Sequence, residues 1–137
     1  MKTKIKAIIE KGDDGLYGIR SDSHFGNSYF GGFGDSVCEA KEDFYESVKE
    51  AILEETEAGD SSLRLEDVSI EYHYDLPSFF NYFDYINVSR FAEYAGINES
   101  KMRAYKSGSA FPGEKTTTKI MNAVHSMGKE LVSSTIR

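Results

Sequence analysis

The stretch NVSRFAEYAGINESKMRAYKSG, residues Asn87 to Gly108, decides how this chain is read. Asn87 opens a helix because its side-chain oxygen can accept an orphan backbone N–H. Phe91 and Ala95 then share a face at i, i+4, with Ala92 beside them. Gly96 follows the last periodic residue, where a chain leaving a helix takes a left-handed conformation that glycine adopts at least cost. Ile97 packs back under the turn, and Asn98 caps a second helix with Met102 and Tyr105 as its buried stripe. Glu99, Ser100, Lys101, Arg103 and Lys106 point elsewhere, so the outer face is short, polar and largely cationic. The pattern predicts a helix-turn-helix.

Ala92, Gly96, Ile97, Met102, Tyr105, Gly108 and Pro112 stand at a spacing that resembles the Xre/Cro-type helix-turn-helix family. The likeness runs on through Lys119-Ile120 and the helix end His125-Ser126-Met127-Gly128, roughly the last 60 residues. In that family the second helix enters the major groove and its early residues read base edges. Carried over by position, the resemblance implies Asn98, Ser100, Lys101 and Arg103 as DNA readers, and Lys106, Ser109 and Lys115 as phosphate contacts. Glu99 departs from a cationic reader and repels phosphate unless it accepts from a cytosine amino group. A structural three-helix bundle and a protein- or RNA-binding surface fit the same residues.

At 137 residues the chain is one domain or two small ones, and either half alone lies near the size at which a core is marginal. Homo-oligomerisation, most simply as a dimer, is therefore expected. Net charge is −7, but it divides unevenly. Residues 1 to 76 carry 8 Lys or Arg against 18 Asp or Glu, and residues 77 to 137 carry 8 against 5. Between Glu99 and Glu114 lie three basic residues and no acid, so the local field there is positive. The acidic half suits a basic protein partner. No apolar run approaches a membrane span, and MKTKIKAII breaks into alternation and charge before it could serve as a signal-peptide core, so a cytoplasmic protein that meets no membrane is expected. Cys38 is the only cysteine, which leaves no internal disulfide framework and no metal cluster.

From the start, Thr3, Ile5, Ala7 and Ile9 alternate with Lys4 and Lys6 as a half-buried strand, with Ile8 breaking the pattern. Gly12-Asp13-Asp14-Gly15 turns the chain into a strand from Leu16 to Ser21, and a second turn, Asp22 to Asn27, leads to a third, Ser28 to Phe33. Gly31, Gly32 and Gly34 invite a phosphate-loop reading, but no Lys-Ser/Thr ending follows, and Ser36 with Glu39 makes a capping box that explains the helix start. The helix from Val37 to Ala58 places Val37, Ala40, Phe44, Val48, Ala51 and Ile52 on one stripe, opposite a dense acidic face. Gly59-Asp60-Ser61-Ser62 ends it, and Val68 to Tyr74 alternates as a fourth strand.

Three strands, helix and strand, together with EKGDDGLYGI and DSVCEAKEDFYESV, resemble the HicB-type antitoxin domain over about 75 residues. The segment Asp22 to Gly31 departs from that family, which usually carries a Pro- and Cys-containing strand entry there. Such domains look like a reduced RNase H fold, whose chemistry needs carboxylates converging on two magnesium ions. Here Glu10, Asp13 and Asp14 fall at a strand end and turn, Asp35 at a helix start, and His24, His73 and His125 lie far apart. No catalytic residues, no metal ligands and no cofactor are expected, and the chain is read as no enzyme.

The expected fold class is thus an α+β N-terminal domain over 1–75, reduced RNase H-like, followed by an all-α helix-turn-helix domain over 76–137. Pro77 to Tyr85 is its expected first helix, aromatic almost all round, and Glu114 to Met127 its last, with Lys129 to Arg137 as a tail. The resemblances imply an antitoxin that neutralises a small basic HicA-type ribonuclease and binds double-stranded operator DNA for autoregulation. The alternative is a stand-alone helix-turn-helix regulator whose N-terminal domain dimerises or senses a ligand.

Overall fold

The computed structural model describes residues 3–22, 31–57, 59 and 64–137. Most of the expected second turn, Ser28–Phe30 of the third strand, His24, and Ala58 and Asp60–Ser62 after the long helix lie outside the described residues.

The strands are β1 (Thr3–Lys11), β2 (Tyr17–Ser21), β3 (Gly31–Gly34) and β4 (Val68–Tyr74), in the sheet order β3-β2-β1-β4. β1 pairs antiparallel with β2, with Ile9 opposite Ile19, and parallel with β4, with Ile5 beside Ile70 and Ala7 beside Tyr72. The β1–β2 turn closes because Gly15 takes φ 85° and the Asp14 carboxylate accepts the Leu16 N–H at 2.9 Å. Period-two alternation sends Ile5, Ala7, Ile9, Tyr17 and Ile19 to one face, where they are buried with the stripe of α1 (Val37–Glu57): Val37, Ala40, Phe44, Val48, Ala51 and Ile52. Leu65, Val68, Ile70, Tyr72 and Tyr74 pack at the margin of this core.

Start signals on α1 are local. Ser36 Oγ accepts the Glu39 N–H at 3.1 Å, while the Glu39 carboxylate reaches one residue beyond the cap to the Asp35 N–H at 3.0 Å. The β3 glycines have a packing reason in place of a phosphate. A Cβ on Gly32 would stand 2.5 Å from Phe44 N and 2.6 Å from Ala40 O, and one on Gly34 would stand 2.7 Å from Ala40 N, so only bare backbone lets the strand lie this close to α1. Ser47 and Asp43 of α1 accept the Gly31 and Phe33 N–H groups, which blunts this strand edge.

Taken whole, the 137-residue chain is α+β, with five helices and one four-stranded sheet among the described residues. It divides into two compact units, Met1–Tyr82 and Phe83–Arg137. The α+β expectation for the N-terminal part is compatible with this, but the separate all-α helix-turn-helix domain expected over 76–137 is not evident. Its intended first helix is α2 (Leu76–Tyr82), which stops three residues short of Tyr85 and belongs with the sheet. The reason is polar and aromatic at once. Asp75 accepts the Ser78 N–H and the Lys11 N–H, each at 2.9 Å, tying the helix start to β1. Asn81 accepts the Val37 N–H at 2.9 Å, and Tyr74 meets the rings of Phe79 and Tyr82 at centroid separations of 6.1 Å.

The second unit contains α3 (Val88–Ala95), α4 (Glu99–Ser107) and α5 (Glu114–Ser133). Val88, Phe91, Ala92, Met102, Tyr105, Ile120 and Ala123 are buried. The expected helix end at Gly128 is passed: α5 continues through Lys129 to Ser133, residues that contain no proline or glycine to stop it.

Candidate nucleic-acid interface

Asn87 and Asn98 cap their helices as their side chains suggest, accepting the Arg90 N–H at 3.0 Å and the Lys101 N–H at 3.2 Å. Both helices end in the same left-handed device. Gly96, at φ 73°, bonds back to Glu93 O while Ile97 N–H reaches Ala92 O at 2.9 Å. Gly108, at φ 85°, bonds to Tyr105 O while Ser109 N–H reaches Ala104 O at 3.0 Å. These paired bonds are the Schellman arrangement, and they fix the exit of each helix without side-chain help. The consequence is a rigid short turn between α3 and α4 and a defined start for the loop into α5.

All seven predicted DNA-contacting residues are exposed: Asn98, Ser100, Lys101, Arg103, Lys106, Ser109 and Lys115. Met102 and Tyr105 face inward, which leaves Lys101, Arg103 and Lys106 on the solvent side of α4. Asn98 doubles as the cap, so its carbonyl oxygen is engaged by its own helix. Ser109 is likewise turned inward on its chain, its hydroxyl 3.0 Å from Ser107 Oγ. Lys115 lies in the first turn of α5.

Arg103 differs from its lysine neighbours. Its guanidinium reaches Glu99 Oε1 at 3.0 Å, one turn back on α4, and Ser89 Oγ of α3 at 2.7 Å, and Ser89 in turn donates to the same Glu99 oxygen. The Ser89 hydroxyl first and the Arg103 guanidinium second hold the Glu99 carboxyl below its usual pKa. The three side chains staple α3 to α4, so Arg103 is a partly neutralised cation here. The i, i+4 spacing of Glu99 and Arg103 carried half of this signal; Ser89 could not be joined to it without the turn geometry. Among the described residues, Lys101, Lys106 and Lys115 form no ion pair, and Lys101 and Lys106 leave the outer face of α4 positive.

In the other unit three of the residues weighed for catalysis have structural partners. Glu10 pairs with Arg20 at 3.3 Å, Asp14 serves the hairpin turn, and His73 pairs with Glu71 at 3.0 Å. The sheet face away from α1 carries a hollow of about 480 Å³ lined by Ile8, Leu16, Gly18 and Phe33 and bordered by Glu10, Asp13 and Asp14. Among the described residues no helix is long and apolar enough to cross a membrane. Compared with known protein families, curated proteins and solved structures, the chain matches none.

Proposed function

We propose that this chain is an antitoxin-like DNA-binding transcriptional regulator, not an enzyme, which works in the cytoplasm as a homo-oligomer, most simply a dimer. The observation that carries the reading is the outer face of α4, where Lys101 and Lys106 stand exposed on a helix fixed at both ends. In this reading α4 lies in the major groove of double-stranded operator DNA, Ser100, Lys101 and Arg103 meet base edges, and Lys106, Ser109 and Lys115 meet phosphates. A two-fold pair of such surfaces would span half-sites about one DNA turn apart. The unit Met1–Tyr82, with 18 acids against 8 bases, would bind and neutralise a small basic ribonuclease of the HicA type.

The open sheet face favours a second reading for that unit, because Ile8, Leu16 and Phe33 line a hollow that could take a small ligand in a stand-alone regulator. A neighbouring reading frame for a small basic protein with a catalytic histidine separates the two.

The test is duplex binding across a salt series, using the region upstream of the protein's own reading frame and a scrambled duplex. Two lysines assigned to phosphate in each protomer, Lys106 and Lys115, predict a slope of log affinity against log salt of about −1.8 per protomer, and Lys101→Ala/Lys106→Ala, which removes one of them, should flatten it by about 0.9. Preference for the native region should fall with it. An unchanged slope and preference in the double variant, or no binding at low salt, would sink the proposal.

A further inference from the structure

Lys41 lies on α1, three residues after the exposed Cys38, and its amine is surrounded by tyrosines from two other elements. Its Nζ stands 3.4 Å from the ring centroid of Tyr82 on α2, and 4.2 Å and 5.1 Å from those of Tyr72 and Tyr74 on β4. It also donates to the Tyr74 hydroxyl at 2.6 Å. Three ring walls strip water from the amine, yet Lys41 is only half-buried and Tyr82 is exposed, so one side remains open. The ring faces favour an ammonium while lost hydration disfavours it. Burial is the larger influence, lowering the Lys41 pKa to about 8, with Cys38 acting in the opposite direction.

Among the described residues no other lysine stands against three rings. Lys4, Lys6 and Lys49 pair with Glu71, Asp22 and Glu46, and Lys101, Lys106 and Lys115 are exposed to water.

We propose that Lys41 is an acylation site, its amine taking an acyl group from an activated donor, an acyl phosphate or an acyl thioester. The neutral amine attacks the acyl carbonyl carbon, forming the C–N bond. The bond from that carbon to phosphate oxygen or thioester sulfur then breaks, and the leaving group departs with the electron pair. The nitrogen gives up one proton, which passes through water to the leaving group. The products are a neutral amide and phosphate or thiol, with no change of oxidation state. The amide no longer carries the positive charge that faces Tyr72 and Tyr82, and the added acyl group must displace the Tyr82 ring, which stands against the nitrogen. Acylation would therefore loosen α2 from α1 and β4.

The rate advantage follows from two opposing factors. Near pH 8 an amine of pKa about 8 is about half neutral, which is over 100-fold more free base than an ordinary lysine offers. Lower basicity costs nucleophilicity, and a Brønsted coefficient like that of thiols returns roughly tenfold of this. About a tenfold net preference remains.

The experiment exposes the full chain to limiting acetyl phosphate, and in a parallel arm to acetyl coenzyme A, near pH 8, with site-resolved mass spectrometry over time. Lys41 should be acetylated about tenfold faster than Lys101, Lys106 and Lys115 by at least one donor, and the arm showing the preference identifies the donor class. Unfolding in urea should abolish the preference, and Tyr82→Ser, at an exposed position, should reduce it. A native Lys41 no faster than the exposed lysines with either donor would overturn the proposal, as would a preference that survives in urea.

Discussion

Gly32→Ala should be among the most destabilising single-methyl changes available in the sheet unit. The added Cβ would meet Phe44 N at 2.5 Å, Ala40 O at 2.6 Å and Phe44 Cα at 2.8 Å. All three atoms belong to the backbone of α1, so no side-chain rotation relieves the overlap. Ordinary contact needs about 3.4 Å or more, so strand and helix must separate by most of an ångström, through a core that holds Phe44 and Val48 fully buried. Overpacking of this kind costs about 1–3 kcal/mol, and the smaller unfolded-state entropy of alanine returns about 0.4–1 kcal/mol. With three backbone overlaps the upper part of the range applies, for a net loss of about 2 kcal/mol. Gly31→Ala is the matched control, since its Cβ would meet only Ile19 O at 3.7 Å. It should be neutral or slightly stabilising. Urea unfolding followed by tyrosine fluorescence, with equal m-values, would measure both variants, and in heat the loss corresponds to a Tm about 8–16 °C lower. Equal midpoints for Gly31→Ala and Gly32→Ala would refute the close-approach account of these glycines.

Gly96→Ala forces a non-glycine residue into φ 73° at the end of α3, at a cost of about 1–2 kcal/mol, and hydrogen exchange should show faster opening at the Gly96 and Ile97 amides. Protection equal to wild type would argue against the left-handed cap as the anchor of this turn. Glu99→Gln removes one negative charge and weakens the hold on Arg103. Duplex affinity should rise at low salt, whereas unaltered affinity would mean that Arg103 never reaches the duplex. For Lys41 the folded pKa of about 8 lies below the ordinary lysine value of 10.5, so between these the unfolded chain binds more protons. This group's contribution to stability should therefore rise with pH across that window, and Lys41→Met should remove the rise. Parallel stability–pH curves for the two proteins would contradict it.

What could be read from the residues alone was whatever is settled within a turn or two of chain. Asn87, Asn98 and Gly96 act on neighbours three to five residues away, and Ser36 with Glu39 does the same, so these caps and turns stood out. Strand alternation likewise named Ile5, Ala7 and Ile9 as core. The membership of α2 could not be seen that way, because a helix aromatic on nearly every side has no unique inward face. Asp75, Asn81 and the Tyr74 ring decide it through partners on β1, α1 and β4. The glycines of β3 were legible as unusual, but their reason is a helix backbone that arrives later in the chain. At the candidate interface the exposed lysines were legible from the stripe opposite Met102 and Tyr105. The Ser89–Glu99–Arg103 link was not, and it changes which cations are open to a polyanion.

The central claim is that α4 meets DNA. The most direct measurement is amide chemical-shift mapping of isotope-labelled full-length protein, titrated with a duplex from the region upstream of its own reading frame. The account predicts shifts concentrated from Asn98 to Ser109 and at Lys115, weakened by Lys101→Ala/Lys106→Ala. Shifts absent there, or confined to residues of the acidic unit, would contradict it.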